Sequence, residues 1–213
     1  MTSLQFRKAA WVVAFLGMSA SGIGPADRFT WFLEIVPGLM GLGVVFWAEP
    51  RFPLSKLVTT VIVLHILILS VGGHYTYAKV PLFDWVRDHF GQARNNYDKV
   101  GHFWQGFGPV LVAREVLLRT SPLRAGKWLS FLLVCIALAI SAVYELVEWW
   151  VAVATGEGAE AFLGTQGDAW DTQKDMFTCG VGAVVALLLG RAHDRSLAQL
   201  KADEPERVSL PST

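Results

Sequence analysis

Long apolar blocks alternate with short polar stretches along the chain. The blocks cover 9–24, 29–48, 57–73, 100–118, 128–154 and 176–190. Most approach the roughly 20 residues that a helix needs to cross a hydrocarbon core of about 30 Å. The pattern predicts an all-α, polytopic membrane bundle of about six transmembrane helices over residues 1–191. The first block follows Arg7 and Lys8 and is read as a retained span, a signal peptide being the competing reading because Ser-Ala-Ser stands at 19–21. Between the third and fourth blocks, Leu82, Phe83, Val86 and Phe90 share a helical face that Asp84, Arg87 and Asp88 avoid. A short helix over about 81–91 is expected there, lying on the membrane surface or packed over the bundle.

Charge orients this arrangement. Arg7/Lys8, Arg51/Lys56, Arg119/Arg124/Lys127 and Arg191/Arg195 fall on one side of a six-span chain. The positive-inside rule makes that side, and with it both termini, cytoplasmic. Residues 192–213, charged and poor in aromatics, are expected to be a disordered cytoplasmic tail. Composition agrees with a multi-pass membrane protein: of 213 residues 53% are hydrophobic and 17% charged, with a mean hydropathy of +0.42. A formal net charge of zero gives no reason to expect nucleic acid as a partner. Cys135 and Cys179 fall at different depths, so they are read as small core residues rather than a disulfide.

Candidate chemistry gathers at the ends of the apolar blocks, where a charge is costly unless paired, hydrated or bound to a cation. Counted from Trp128 on the inside, Glu145 lies about 26 Å and Glu148 about 30 Å along the helix, which predicts the outer interface for both. Asp98 and His102 stand four apart at the same end of the fourth block, and Asp168, Asp171 and Asp175 lead into the sixth. Glu34 and His74 share that depth. Carboxylates held together repel unless some are protonated, neutralised or bridged by a cation. Asp98, His102, Glu145, Glu148, Asp168, Asp171 and Asp175 are therefore the expected ligands of a divalent metal ion, with Mg²⁺, Mn²⁺, Ca²⁺, Zn²⁺ and iron all open. Competing roles are open as well: pairing of Glu145 and Glu148 with Lys99 or Lys174, a helix cap at Asp168 or Asp171, a favourable helix dipole at Asp175. Arg114 and Glu115 lie toward the other end of the fourth span, Arg114 snorkelling to phosphates. The glycines of GEGAEAFLG follow no strand and are not read as a phosphate loop.

YDKVGHFWQGF, AREVLLR, YELVEWW and GTQGDAWDTQKDM together resemble the bacterial inner-membrane family of the YjdF type. That resemblance implies a six-span inner-membrane protein and supplies no mechanism. A more distant likeness is to VanZ-like membrane proteins, in whose motifs Asp98, Lys99, His102, Glu145, Asp171 and Asp175 would take places. Phe177-Thr178-Cys179-Gly180 stands where those proteins have Asn-x-x-Gly.

Two functions from different classes follow. One is a metal-assisted enzyme acting on a lipid or cell-envelope precursor at the outer face, with His102, Glu145 and Asp171 as catalytic groups and membrane lipids as surroundings. The other is a non-catalytic cation-binding or transport protein using the same acids. Transport predicts polar groups continuing through the membrane, and apart from His65, Gln105 and Arg114 the blocks hold few.

Overall fold

The computed structural model describes residues 2–155 and 165–205, so the GEGAEAFLG stretch and the last part of the expected tail lie outside the described residues. All regular structure within them is helical. The α-helices are α1 (Ser3–Ser21), α2 (Arg28–Ala48), α3 (Lys56–Tyr75), α4 (Pro81–Phe90), α5 (Tyr97–Thr120), α6 (Lys127–Thr155), α7 (Asp171–Leu187) and α8 (Gly190–Asp203), with one 3₁₀ turn at Tyr77–Lys79.

Local chemistry starts these helices where they start. Thr2 and Gln5 form a reciprocal capping box on α1, Asp27 accepts from Thr30 N at 2.7 Å on α2, and Ser55 caps α3. Pro81 opens α4, and Gly91 closes it at φ +64°, a left-handed conformation that suits glycine.

The expectation of six spans is overturned. Among the described residues three helices are long and apolar enough to cross a membrane, α2, α3 and α6. The count rises to four if α7 and α8, bent by 60° at their junction, are taken as one span. The reason lies mainly in α5. It carries Asp98, Lys99, His102, Gln105, Arg114, Glu115 and Arg119 and packs chiefly against α7, α6 and α3, so its polar groups are met by protein. α1, whose first turns hold Arg7 and Lys8, packs on α3 through a core that includes Trp11, Ala14 and Met18. The sidedness of the loops and termini rested on six crossings and falls with that count.

Two further expectations change. The sequence from 192 forms part of α8, whose His193, Ser196, Leu197 and Leu200 are buried in a stripe at helical spacing. Cys135 is exposed, whereas Cys179 is buried as expected, and both thiols are free.

The tightest contact in the bundle is the crossing of α5 over α7. A Cβ on Gly106 would stand 1.9 Å from the Cys179 carbonyl oxygen, and one on Gly182 would stand 2.0 Å from that of Phe103. Small residues let two backbones approach in this way. At the far end of α5 a buried polar network ties α8 beneath the bundle. Glu115 accepts from Ser55 N at 2.9 Å and Arg119 at 3.0 Å, and its second oxygen lies 3.0 Å from His193 Nε2. Arg114 donates to His193 Nδ1 at 2.8 Å and pairs with Asp194, so it is engaged by protein rather than snorkelling to phosphates.

Because the steric partners of Gly106 and Gly182 are backbone atoms, Gly106→Ala or Gly182→Ala should each cost about 1–3 kcal/mol or more. Gly41, with nothing within 4 Å of its would-be Cβ, is the control, and Gly41→Ala should leave stability nearly unchanged. Thermal unfolding in detergent measures all three. Equal midpoints would contradict the tight crossing.

Candidate metal centre

The crossing brings the first turns of α5 against the first turns of α7, and carboxylates meet bases there. Lys99 Nζ donates to Asp98 Oδ2 at 3.1 Å, Asp171 Oδ1 at 2.7 Å and Asp175 Oδ1 at 2.7 Å. Arg94, just ahead of α5, donates to Asp171 Oδ1 at 2.6 Å, to the Thr165 carbonyl at 3.0 Å and to Asp98. Burial pulls the Arg94 guanidinium down, but Asp98, Asp171 and Asp175 outweigh it and hold it above its ordinary value. The segment before α7 is fastened to the same place. Gln166 exchanges hydrogen bonds with the Asn95 backbone, its Nε2 donating at 2.8 Å and its Oε1 accepting at 3.2 Å.

Beyond the cations lies a second group. His102 Nδ1 stands 3.2 Å from Gln105 Oε1, and in the tautomer that carries its proton on Nδ1 this contact is a hydrogen bond that leaves Nε2 as an acceptor. Nε2 is 3.5 Å from Asp175 Oδ1, and Nδ1 is 3.8 Å from Glu145 Oε1. That Asp175 oxygen also carries the Lys99 ammonium, so His102, Lys99 and Asp175 meet at one atom. Glu145 Oε1 is buried without a hydrogen-bond partner among the described residues, on a side chain that is 8% exposed.

Two sets can offer ligand atoms that all lie within 4.8 Å of one another: His102/Glu145/Asp175 and Asp98/Asp171/Asp175. Either has the geometry to hold a divalent ion. Arg94 and Lys99 neutralise the second set, whereas in the first only Asp175 has a Lys or Arg partner, which leaves His102 and Glu145 the more open to a cation.

The remaining expected residues divide. Glu148 is buried and lines a cavity that His102 and Asp175 also border, as do Glu34 and Asp98. Asp168 takes no place in either set. It pairs with Lys174 at 2.5 Å and accepts from Trp170 N at 3.0 Å, and the Lys174 ammonium beside it holds its carboxyl below the usual carboxylate range. His74 hydrogen-bonds the Ser21 carbonyl at 2.9 Å and stays away from the centre. Lys99 and Lys174, the competing partners for Glu145 and Glu148, bind aspartates instead. The cluster is buried in the bundle, where the sequence predicted an outer interface.

Arg94 and Gln105 were missed from sequence. Arg94 stands four residues before Asp98, a spacing that permits the ion pair, and Gln105 stands three after His102.

The cavity has a volume of about 670 Å³, within the usual range for ligand pockets. Its acidic end holds Glu34, Asp98, His102, Glu148 and Asp175 beside Tyr77 and Tyr144, and below them its walls are apolar apart from Gln105 and His65.

Removing the cation common to three aspartates should cost far more than breaking the exposed pair. Lys99→Met is expected to destabilise by about 3–5 kcal/mol, as for a broken buried pair. Asp168→Asn should change the unfolding midpoint little. Denaturant titration of both variants decides the point, and a silent Lys99→Met would contradict the network.

Comparisons with known proteins agree on the kind of molecule this is. Residues 6–196 match the family model described as "Predicted membrane protein (DUF2238)". The chain is similar to "Inner membrane protein YjdF" of Escherichia coli (strain K12), 51% identical over 178 residues, which is 83% of this chain and 85% of that one. No solved structure matches. Neither match supports the likeness to VanZ-like proteins, and that likeness is dropped. With its long apolar helices, this chain is a multi-pass protein of the bacterial inner membrane and belongs to the DUF2238 family of membrane proteins.

Proposed function

We propose that the protein is a metal-dependent enzyme of the inner membrane, a hydrolase or transferase acting on a lipid or envelope precursor. The observation that carries this reading is the triad in which His102 Nε2, with its proton assigned to the Gln105 side, faces Asp175 Oδ1 at 3.5 Å while Glu145 Oε1 stands buried and unpartnered. First-row ions bind imidazole nitrogen and carboxylate oxygen at about 2.0–2.2 Å, so two tetrahedral ligands end up roughly 3.4 Å apart. A second-shell acceptor on the other ring nitrogen, here Gln105, is the usual companion of a ligating histidine.

In this reading His102, Glu145 and Asp175 hold the ion. Asp98 and Asp171 position Asp175 through their common partner Lys99. An imidazole in the ligand set favours Zn²⁺, Mn²⁺ or Fe²⁺ over Ca²⁺ and Mg²⁺. The ion would polarise a phosphoryl or acyl oxygen, or activate a water for which one of the surrounding carboxylates is the base. The adjoining cavity, acidic at one end and apolar below, suits an amphiphilic substrate better than a transported ion, because Leu42, Val112 and Ala113 offer an ion no polar partners on its way.

Elemental analysis of protein purified without chelators tests the reading. Near-stoichiometric metal is expected in the wild type and in Asp168→Asn. Glu145→Gln and Asp175→Asn should lose it, and Gln105→Leu should bind it about 10–100-fold more weakly, as for a second-shell change. Absence of metal from every sample, even after adding back Zn²⁺, Mn²⁺ and Fe²⁺, would exclude the metal enzyme.

A further inference from the structure

Glu34 on α2 and Glu148 on α6 face one cavity from opposite sides, and both are buried, at 6% and 9% exposure. Among the described residues no Lys, Arg or His side chain pairs with either, in contrast to Asp98, Asp171 and Asp175, each of which has a base within 3.5 Å. Two buried acids without a basic partner, lining a cavity, can hold protons or receive a cation that the protein does not itself supply.

The shape of the cavity narrows the choice of cation. α2 meets the bundle chiefly through α3, so its other side and α6 flank a groove floored by α3 and α5. Along α2 the lining runs from Glu34 to Val45, and along α6 from Glu148 to Ile136, roughly 16–18 Å at the helical rise, while the α5 side continues to Leu117. Half of a hydrocarbon core of about 30 Å is about 15 Å. Both flanking helices are themselves membrane-crossing and turn exposed apolar side chains such as Leu39, Met40 and Val143 outward. A groove whose flanking helices line it to one leaflet's depth, largely apolar below its doubly acidic end, matches a hydrocarbon chain that carries an ammonium head.

We propose that the groove between α2 and α6 binds an amine-headed membrane lipid, with one chain along Leu42, Val45 and Ile140 and the ammonium held by Glu34 and Glu148. This names a substrate class for the neighbouring His102/Glu145/Asp175 centre, and only the step from bound lipid to substrate rests on the metal-enzyme reading.

Photolabelling of the full-length protein tests it, in phosphatidylglycerol vesicles carrying a minor fraction of diazirine-acyl phosphatidylethanolamine or of diazirine-acyl phosphatidylglycerol. Peptide mapping is expected to find the ethanolamine probe on groove residues, about tenfold above the glycerol probe, an advantage that Glu34→Gln abolishes. Gly41 lines the groove with open space at its would-be Cβ, so Gly41→Phe should block labelling by filling it. Gly43, equally open and outside the lining, provides the control Gly43→Phe, which should label as wild type. Equal labelling by both probes, unaffected by Glu34→Gln, would overturn recognition of the amine. Labelling confined to outward residues such as Met40, and indifferent to Gly41→Phe, would overturn the groove. Metal content measured on the same Gly41→Phe and Glu34→Gln samples reports the ion separately, so loss of lipid with metal retained, or the reverse, shows which reading has failed.

Discussion

The backbone contact of α5 with α7 at Gly106 and Gly182 is the constraint on which the rest of the molecule depends. It makes α5, a helix too polar to face lipid, the centre of the bundle. It also sets the first turns of the two helices close enough for Lys99 to reach Asp98, Asp171 and Asp175 at once. Such networks offset their desolvation cost only when every member is satisfied. Arg94, Lys99 and Gln166 serve the aspartates on the side of the loop before α7, and Glu145 Oε1 is left without a partner on the other side.

The two ends of α5 therefore do different work. At the far end Glu115 is enclosed by Ser55, Arg119 and His193, with Arg114 closing the chain on His193, so its charge is answered within the protein. Arg114, Glu115, Arg119 and His193 do not line the large cavity, and their effect is to fasten α8 to the start of α3, where Ser196 also accepts from Leu57 N at 3.0 Å. At the near end the acids outnumber their bases and border a cavity. The same helix thus carries a structural clasp and a site with charge to spare.

Much of the site was legible in the sequence because helical spacing is local. Asp98/His102 and Asp171/Asp175, each four apart, share faces whatever the tertiary fold, and Glu145 joined them by depth alone. What spacing could not reveal is which acids would be answered. Lys99 turned to the aspartates, Arg94 entered from a segment read as a loop, and Asp168 was taken by Lys174. The span count failed for a related reason. The apolar block at 100–118 has the length of a crossing helix, yet its polar residues are explained by packing inside the protein, which no window of hydropathy sees. α8 was overlooked because its charges suggested a tail, although His193, Ser196, Leu197 and Leu200 already carried the 3.6-residue period of a helix with one buried face.

The proposed chemistry depends on an ion between His102, Glu145 and Asp175. Its most direct test is electron spin-echo spectroscopy of the protein loaded with Mn²⁺, which detects nitrogen bound to the metal. One bound Mn²⁺ with a ¹⁴N coupling that disappears in His102→Gln is the result the account predicts. A bound Mn²⁺ without nitrogen coupling, or a coupling unchanged in that variant, would put the metal elsewhere and leave His102, Glu145 and Asp175 as a buried cluster without an ion.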